Sequence, residues 1–180
     1  RKGMSLRFPE DQARSMGRAT AGVTGIRPVE GDYVVSLALV TEDSTLLVAS
    51  ENGIGKRTPF DDYRVQSRGG KGIITMKVGE KTGDVVGAVT VEEQDELMLM
   101  TTGGLSIRIR VSEVREAGRN TMGVKLVTLK EGEKLQDIAR VIPEEEDEDA
   151  EPSQEEAMDG GAQETEPASE EANPESSDEA

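Results

Sequence analysis

The chain contains no cysteine and no histidine among its 180 residues. A sequence without cysteine has no disulfide and no thiolate, and one without histidine has no imidazole base and no zinc site of the usual His and Cys ligands. Tryptophan is also absent, and only Phe8, Tyr33, Phe60 and Tyr63 are aromatic. The core must therefore be built from Val, Ile, Leu and Met. A protein that stacks single-stranded DNA or RNA on exposed rings is disfavoured.

Long hydrophobic runs and a recognisable signal peptide are missing too. The apolar stretches have the length of strands, so no helix is expected to span a bilayer. The chain opens with Arg1-Lys2-Gly3 and not with an initiator Met. We interpret the sequence as a piece of a longer protein, and the absence of cysteine agrees with the reducing cytosol.

Positive charge is missing from the last part of the chain. All 21 Lys and Arg residues precede Pro143, and 17 of the 37 acidic residues follow it. Residues 1–142 therefore carry a net charge of +1, and residues 143–180 carry −17, which together give the printed −16. This contrast predicts a folded domain over 1–142 and a separate acidic tail over 143–180.

The tail has no Val, Ile, Leu or Phe. It cannot bury enough apolar surface to offset a chain entropy of roughly 1–2 kcal/mol per residue, so the sequence predicts disorder. Two interpretations stay open. The tail is either a solubilising segment or a tethered polyanion that competes with another polyanion for a basic surface.

Residues 1–142 contain an internal repeat. The segments 15–23, 65–73 and 116–124 align without gaps around Gly22, Gly72 and Gly123, which lie 50 and then 51 residues apart. We call these three the anchor glycines of units 1, 2 and 3. Nine of the 13 arginines fall in three columns of the alignment, 15, 8 and 4 residues before the anchor. The −15 column is Arg7, Arg57 and Arg108, the −8 column is Arg14, Arg64 and Arg115, and the −4 column is Arg18, Arg68 and Arg119.

Each unit has the pattern of short β-strands separated by turn residues. Strands are predicted at 32–40, 45–50, 72–78, 84–91, 96–102, 105–111 and 123–129, and Arg57 is placed in a further strand, around Lys56-Arg57-Thr58. Four strands in 40–50 residues are typical of propeller blades. The chain therefore holds about two and a half blades, which implies further blades upstream.

The arginine columns indicate phosphate binding. Residues that recur once per blade form stripes on a radial array, and guanidinium groups offer phosphates paired donors and a permanent charge. The candidate DNA-binding residues are Arg7, Arg14, Arg18, Lys56, Arg57, Arg64, Arg68, Lys71, Arg108, Arg115 and Arg119. The alternative is that the arginines pair with acids or cap carbonyls of neighbouring blades, with Asp61, Asp62, Glu113 and Glu116 as available partners. The −15 column is the most suited to such a structural role.

Several motifs resemble a known family. Gln66-Ser67-Arg68-Gly69-Gly70-Lys71-Gly72 is similar to the QRRGGKG box of the DNA gyrase A C-terminal domain, with Ser67 in place of the first Arg. The strings NGIGKRT at 52–58, TTGG at 101–104 and GRNTMGV at 118–124 also match, in the same order. The resemblance covers residues 1–142. It implies the last blades of a six-bladed β-pinwheel, an all-β, propeller-like repeat of four-stranded blades.

The resemblance also implies a function. Such a domain wraps double-stranded DNA and supports ATP-dependent negative supercoiling by a parent enzyme of two A and two B subunits in the bacterial cytoplasm, associated with the nucleoid. No catalytic residue, metal or cofactor is expected in this chain, because ATP and Mg²⁺ belong to the partner subunit. The box of the family lies on its first blade, whereas QSRGGKG lies in the second-last unit here. The resemblance therefore implies that Arg68 and Lys71 contact DNA, but it does not imply that they have the role of the family's box in closing the DNA wrap.

Two other functions remain. The related C-terminal domain of topoisomerase IV is built from similar blades. A non-catalytic propeller scaffold for protein interactions would show apolar or mixed-charge surfaces in place of arginine stripes. An enzyme site in the propeller channel has no supporting residues, since Asp61-Asp62 and Glu92-Glu93 stand at turns without converging partners.

Overall fold

The computed structural model describes residues 1–143, which form short antiparallel strands joined by turns. The strands are β1 (Met4–Ser5), β2 (Thr45–Ser50), β3 (Ile54–Pro59), β4 (Ile73–Ile74), β5 (Val85–Val91), β6 (Glu96–Thr101), β7 (Ser106–Arg110), β8 (Val124–Lys125) and β9 (Leu135–Val141). Single turns of 3₁₀-helix occur at Glu10–Gln12, Phe60–Asp62 and Val111–Glu113, at the same place in each unit. Over residues 1–143 there is no α-helix, and hence no helix able to cross a membrane.

The sheets follow the repeat. The order is β5-β2-β3-β8 in one sheet and β7-β6-β9 in another. In unit 2, β2 therefore lies between β5 and β3, and in unit 3, β6 lies between β7 and β9. The fourth strand, β8, comes from the next unit and pairs Val124 with Gly55. The pair β1-β4 repeats this exchange between units 1 and 2, with Ser5 opposite Ile73. These features confirm the all-β, propeller-like repeat.

The exchanged strands depend on the anchor glycines. Gly72 and Gly123 have φ values of +78° and +96°, which L side chains rarely adopt. A Cβ at Gly72 would also collide with the carbonyl of Ser5, and one at Gly123 with the carbonyl of Gly55. Glycine is therefore required at the point where each unit meets the unit before it.

The core is aliphatic, as the scarcity of aromatic residues predicts. One cluster holds Leu47 and Ala49 of β2 with residues of unit 3 such as Leu97 and Ile138. A second cluster holds Leu46 and Val48 on the opposite face of β2, and its one buried aromatic side chain is Tyr63. Burial on both faces explains why β2 reads as a continuous apolar run.

Some predicted strands differ from the observed ones. Residues 34–40 hold the place in unit 1 that β5 and β9 hold in units 2 and 3, yet they form no strand. The prediction of a strand at 32–40 is wrong because, within residues 1–143, unit 1 has no central strand equivalent to β2 or β6. Leu37 is consequently 86% exposed, whereas its equivalent Ile138 is 6% exposed.

The predicted strands at 72–78 and 123–129 are reduced to two residues each, because the neighbouring unit offers a pairing partner only at that point. The strand β9, with the sequence LQDIARV, was not predicted from the sequence. Three polar side chains interrupt its apolar pattern, although Leu135 and Ile138 are buried.

Candidate nucleic-acid interface

The −15 column binds main chain of the following unit. In unit 1, Nη1 of Arg7 donates to the carbonyl of Phe60 at 2.7 Å. In unit 2, Nε of Arg57 donates to the carbonyl of Val114 at 2.6 Å, and its guanidinium also pairs with Glu93. Arg108 has no following unit within the described residues and pairs with Glu96 on its own sheet. Two members of this column therefore link consecutive units.

Lys56 lies inside the molecule and not on its surface. Its side chain is fully buried, and Nζ donates to the carbonyl of Gly118 at 2.7 Å and to Oγ1 of Thr121 at 3.1 Å. The carbonyl of Arg119 accepts a further bond, at 2.5 Å. Burial lowers the pKa of Lys56 to about 8. The sequence placed Lys56 among the candidate DNA-binding residues, whereas the structure turns its ammonium inward, where it holds the loop of unit 3.

The −4 column binds main chain of the preceding unit. Nη1 of Arg68 donates to the carbonyl of Thr24 at 3.1 Å, and Nη1 of Arg119 donates to the carbonyl of Ile74 at 3.1 Å. Both acceptors stand two residues after the anchor glycine. Carbonyls accept hydrogen bonds without cancelling the positive charge, so these side chains, which are half-buried, still carry their full charge. Arg18 is exposed and has no hydrogen-bond or ionic partner within residues 1–143.

The −8 column is the one that stays entirely on the surface. Arg14, Arg64 and Arg115 are exposed in all three units, and none makes a side-chain hydrogen bond or ion pair with another residue of the described part of the chain. Lys71, in the same loop as Arg64, is exposed and unpaired among these residues as well. Each −8 arginine follows the 3₁₀ turn of its unit, so the fold presents the three at equivalent places.

Main-chain contacts hold the loop of unit 2 that carries these cations. The N–H of Gln66 donates to the carbonyl of Arg7 at 2.9 Å, and the N–H of Gly69 donates to the carbonyl of Gly25 at 2.5 Å. Fixed loops reduce the entropy that a ligand must overcome when it binds the side chains they carry.

The acids that the sequence offered as partners do not pair with the arginine columns. Within residues 1–143, Asp61, Asp62, Glu113 and Glu116 form no salt bridge, and the pairs that do form use Glu93 and Glu96. The hydrogen bond from Arg57 lowers the pKa of the Glu93 carboxyl. The −8 arginines thus keep unneutralised charge at the surface.

A further basic position was missed. Arg27 and Lys77 each stand five residues after an anchor glycine, and both side chains are exposed. The signal in the sequence was weak, because the third unit has Thr128 at this place and the two cations differ in type. Searching for basic residues of either kind in two of three units would have found it.

The family model described as "DNA gyrase C-terminal domain, beta-propeller" matches residues 1–41, 44–92 and 95–142. Each matched stretch contains one anchor glycine. The chain belongs to this family. The resemblance predicted from the QSRGGKG, NGIGKRT and TTGG motifs is therefore confirmed.

Relatives and solved structures agree with the family. The DNA gyrase A protein of Campylobacter fetus is 46% identical over 151 residues, covering 83% of this chain and 17% of that protein. The chain thus spans about a sixth of the length of this curated relative.

A solved structure of the DNA gyrase A C-terminal domain aligns with a TM-score of 0.73 at 32% identity, covering 78% of this chain and 48% of that one. The C-terminal domain of DNA topoisomerase IV aligns with a TM-score of 0.72 at 24% identity, covering 78% and 44%, and shows the shared fold alone.

Proposed function

We propose that this chain binds double-stranded DNA through its repeated surface arginines. As part of a DNA gyrase A protein, it would wrap the duplex and so support negative supercoiling by the parent enzyme. The single observation that carries the proposal is the −8 column, in which Arg14, Arg64 and Arg115 stay exposed and unneutralised by other residues of 1–143. Family membership and the names of the relatives support the same function.

The arrangement favours binding to the DNA backbone over reading of base sequence. Cations at one place in each unit follow the period of the fold, and phosphate contacts fix the position of a duplex without carrying sequence information. A curved series of such contacts stabilises bent DNA. Besides the −8 column we keep Lys71, Arg18, Arg68 and Arg119 as DNA contacts, because each retains a charge at or near the surface. Arg108 is also exposed, but Glu96 offsets its charge.

Arg7, Arg57 and Lys56 are not proposed to contact DNA themselves. Their bonds to the carbonyls of Phe60, Val114 and Gly118 join one unit to the next. They would act indirectly, by fixing the angle between units and hence the curvature of the surface.

In the parent we propose a complex of two A and two B subunits in the bacterial cytoplasm, in contact with the nucleoid. DNA cleavage and the use of ATP and Mg²⁺ would belong to other parts of that complex, and this chain would supply no catalytic residue or cofactor ligand. Topoisomerase IV remains the second candidate parent, because its C-terminal domain shares the fold. Gyrase is favoured by the family model and by relatives at 46% identity.

The acidic segment 143–180 falls outside the described residues, and its role is a proposal from charge alone. Its 17 carboxylates are tethered to the proposed DNA surface and would compete with phosphates at low salt. Removing 143–180 from the full-length parent should then raise its affinity for DNA. Equal affinity would leave the tail as a solubilising segment.

Charge reversal tests the proposed DNA surface. We expect R64E/R115E in the full chain to weaken binding to a linear duplex at low salt by at least about tenfold, since each contact to phosphate is lost and replaced by repulsion. The matched control is K81E/K130E, which changes the charge equally at exposed lysines outside the arginine-bearing loops. Fluorescence anisotropy measures the dissociation constants. Equal losses in the two variants would refute a role for the −8 column.

A further inference from the structure

A shallow, open pocket of about 470 Å³ lies where units 1 and 2 meet. It is lined by Gln12, Thr24 and Arg27 of unit 1 and by Ser67, Arg68 and Gly69 of unit 2. Two arginines thus line one opening, and none of these lining residues is acidic. A pocket of this kind suits an oxyanion that can accept from both arginines.

Arg68 is held firmly in this pocket without losing its charge. Its Nε donates to the carbonyl of Gln12 at 3.0 Å and its Nη1 to that of Thr24 at 3.1 Å. Its own N–H donates to Oε1 of Gln12 at 2.9 Å. No bond within the described residues uses Nη2, so that nitrogen remains available to a ligand. The main-chain N–H of Arg27 donates to the carbonyl of Gly70 at 2.9 Å, while its side chain is exposed.

The junction between units 2 and 3 repeats the same arrangement. Nη1 of Arg119 donates to the carbonyl of Ile74, as Arg68 does to Thr24. The N–H of Lys77 donates to the carbonyl of Thr121 at 3.0 Å, as Arg27 does to Gly70, and in each case the acceptor stands two residues before the next anchor glycine. Each junction therefore holds a −4 arginine and a residue with a cationic side chain five residues after the preceding anchor, and this arrangement occurs twice, one repeat apart.

We infer that each junction binds one backbone phosphate of double-stranded DNA between these two cations, Arg27 with Arg68 and Lys77 with Arg119. Arg27 and Lys77 are thereby assigned as DNA contacts outside the three arginine columns. The inference rests on the proposed function. A duplex is favoured over a small anion because two sites at one repeat spacing match a polymer that presents phosphates at regular intervals.

The salt dependence of binding tests the assignment. The full chain is measured with a linear duplex at several salt concentrations, as wild type, as R27A/K77A and as the control K81A/K130A, with the melting temperature of each variant as a check on folding. Each lost phosphate contact should lower the magnitude of the log–log salt slope by about 0.9, so R27A/K77A should lower it by up to about 1.8, with the slope of the control unchanged. R27K/K77R keeps both charges and should retain the wild-type slope.

The outcomes separate the two proposals. Wild-type binding with an unchanged slope in R27A/K77A would overturn the junction sites and leave the DNA-binding function intact. An R27A/K77A variant that binds DNA more tightly would show that the acidic tail, and not DNA, occupies the junctions. Failure of the wild-type chain to bind the duplex at low salt would overturn both.

Discussion

The ammonium of Lys56 shows how one buried charge can organise a loop. Three oxygens, from Gly118, Arg119 and Thr121, accept its hydrogen bonds. Burial is the largest cause of its lowered pKa, repulsion by Arg119 adds to it, and attraction by Asp62 opposes it. The equivalent residues in units 1 and 3 are Leu6 and Ile107. This buried cation therefore occurs only in unit 2 and is not part of the repeated pattern.

The lowered pKa of Lys56 predicts a pH effect on stability. The folded pKa is about 8, and the ordinary value is 10.5. Between these values the folded chain has lost a proton that the unfolded chain still holds, so the free energy of unfolding rises with pH. Below about pH 8 both states are protonated and this contribution is flat.

Urea unfolding of the full chain and of K56M, across the pH window from about 8 to 10.5, checks this prediction. The difference in unfolding free energy, wild type minus K56M, should grow as the pH rises, because K56M has no group to titrate at this position. A constant difference over the same window would mean that the buried ammonium keeps its ordinary pKa, and a shrinking one that its pKa is raised, and either result would contradict the prediction.

The −4 and −8 arginines show which property of single residues could not be predicted from the sequence. Both columns repeat with the same period, because a hydrogen bond to a neighbouring unit recurs once per unit, as the proposed contact to DNA would. Only the structure separates Arg68, which binds the carbonyl of Thr24, from Arg64, which is exposed. Residue type and spacing predicted the candidate DNA-binding arginines. They could not predict which arginines bind carbonyls, because every residue has a main-chain carbonyl.

At the scale of elements, the exchanged two-residue strands hold the repeat together. β4 and β8 each pair with a strand of the preceding unit, and each begins directly after an anchor glycine. The strand β2 could be predicted because it is buried on both faces and reads as an apolar run. The strand β9 could not, because Gln136, Asp137 and Arg140 break the pattern on which such predictions rely.

Alanine at the anchor glycines tests the role of these junctions. Gly22 and Gly72 share a φ of +78°, but a Cβ at Gly22 meets nothing within 4 Å, whereas one at Gly72 meets main chain of unit 1. G22A should cost about 1–2 kcal/mol through the backbone conformation alone. G72A should cost a further 1–3 kcal/mol, roughly, because main chain must move to admit the methyl group.

Urea unfolding of the two variants of the full chain gives both numbers. Similar losses in G22A and G72A would show that the exchange between β1 and β4 contributes nothing beyond local backbone strain. A larger loss of unfolding free energy in G22A than in G72A would contradict the close packing of Gly72 against unit 1.

On the scale of the whole molecule, the repeat places the same glycine and arginine positions in each of the three units. Glycine fixes how units dock, the −15 and −4 arginines bind across the junctions, and the −8 arginines recur at the same place on each unit. The family and the all-β repeat were predictable from motifs and period. Which arginines bind a neighbouring unit and which stay exposed was not predictable, because it depends on which carbonyls the neighbouring unit presents.

The topology of DNA bound by the full-length parent tests the wrapping claim most directly. A nicked circle is closed by ligase in the presence of the parent protein, as wild type, as R14E/R64E/R115E and as the control K81E/K130E, and the topoisomers are counted after the protein is removed. Wild type and control should shift the linking number by equal amounts, and the triple variant should shift it less. A shift of unchanged size in the triple variant would contradict the account.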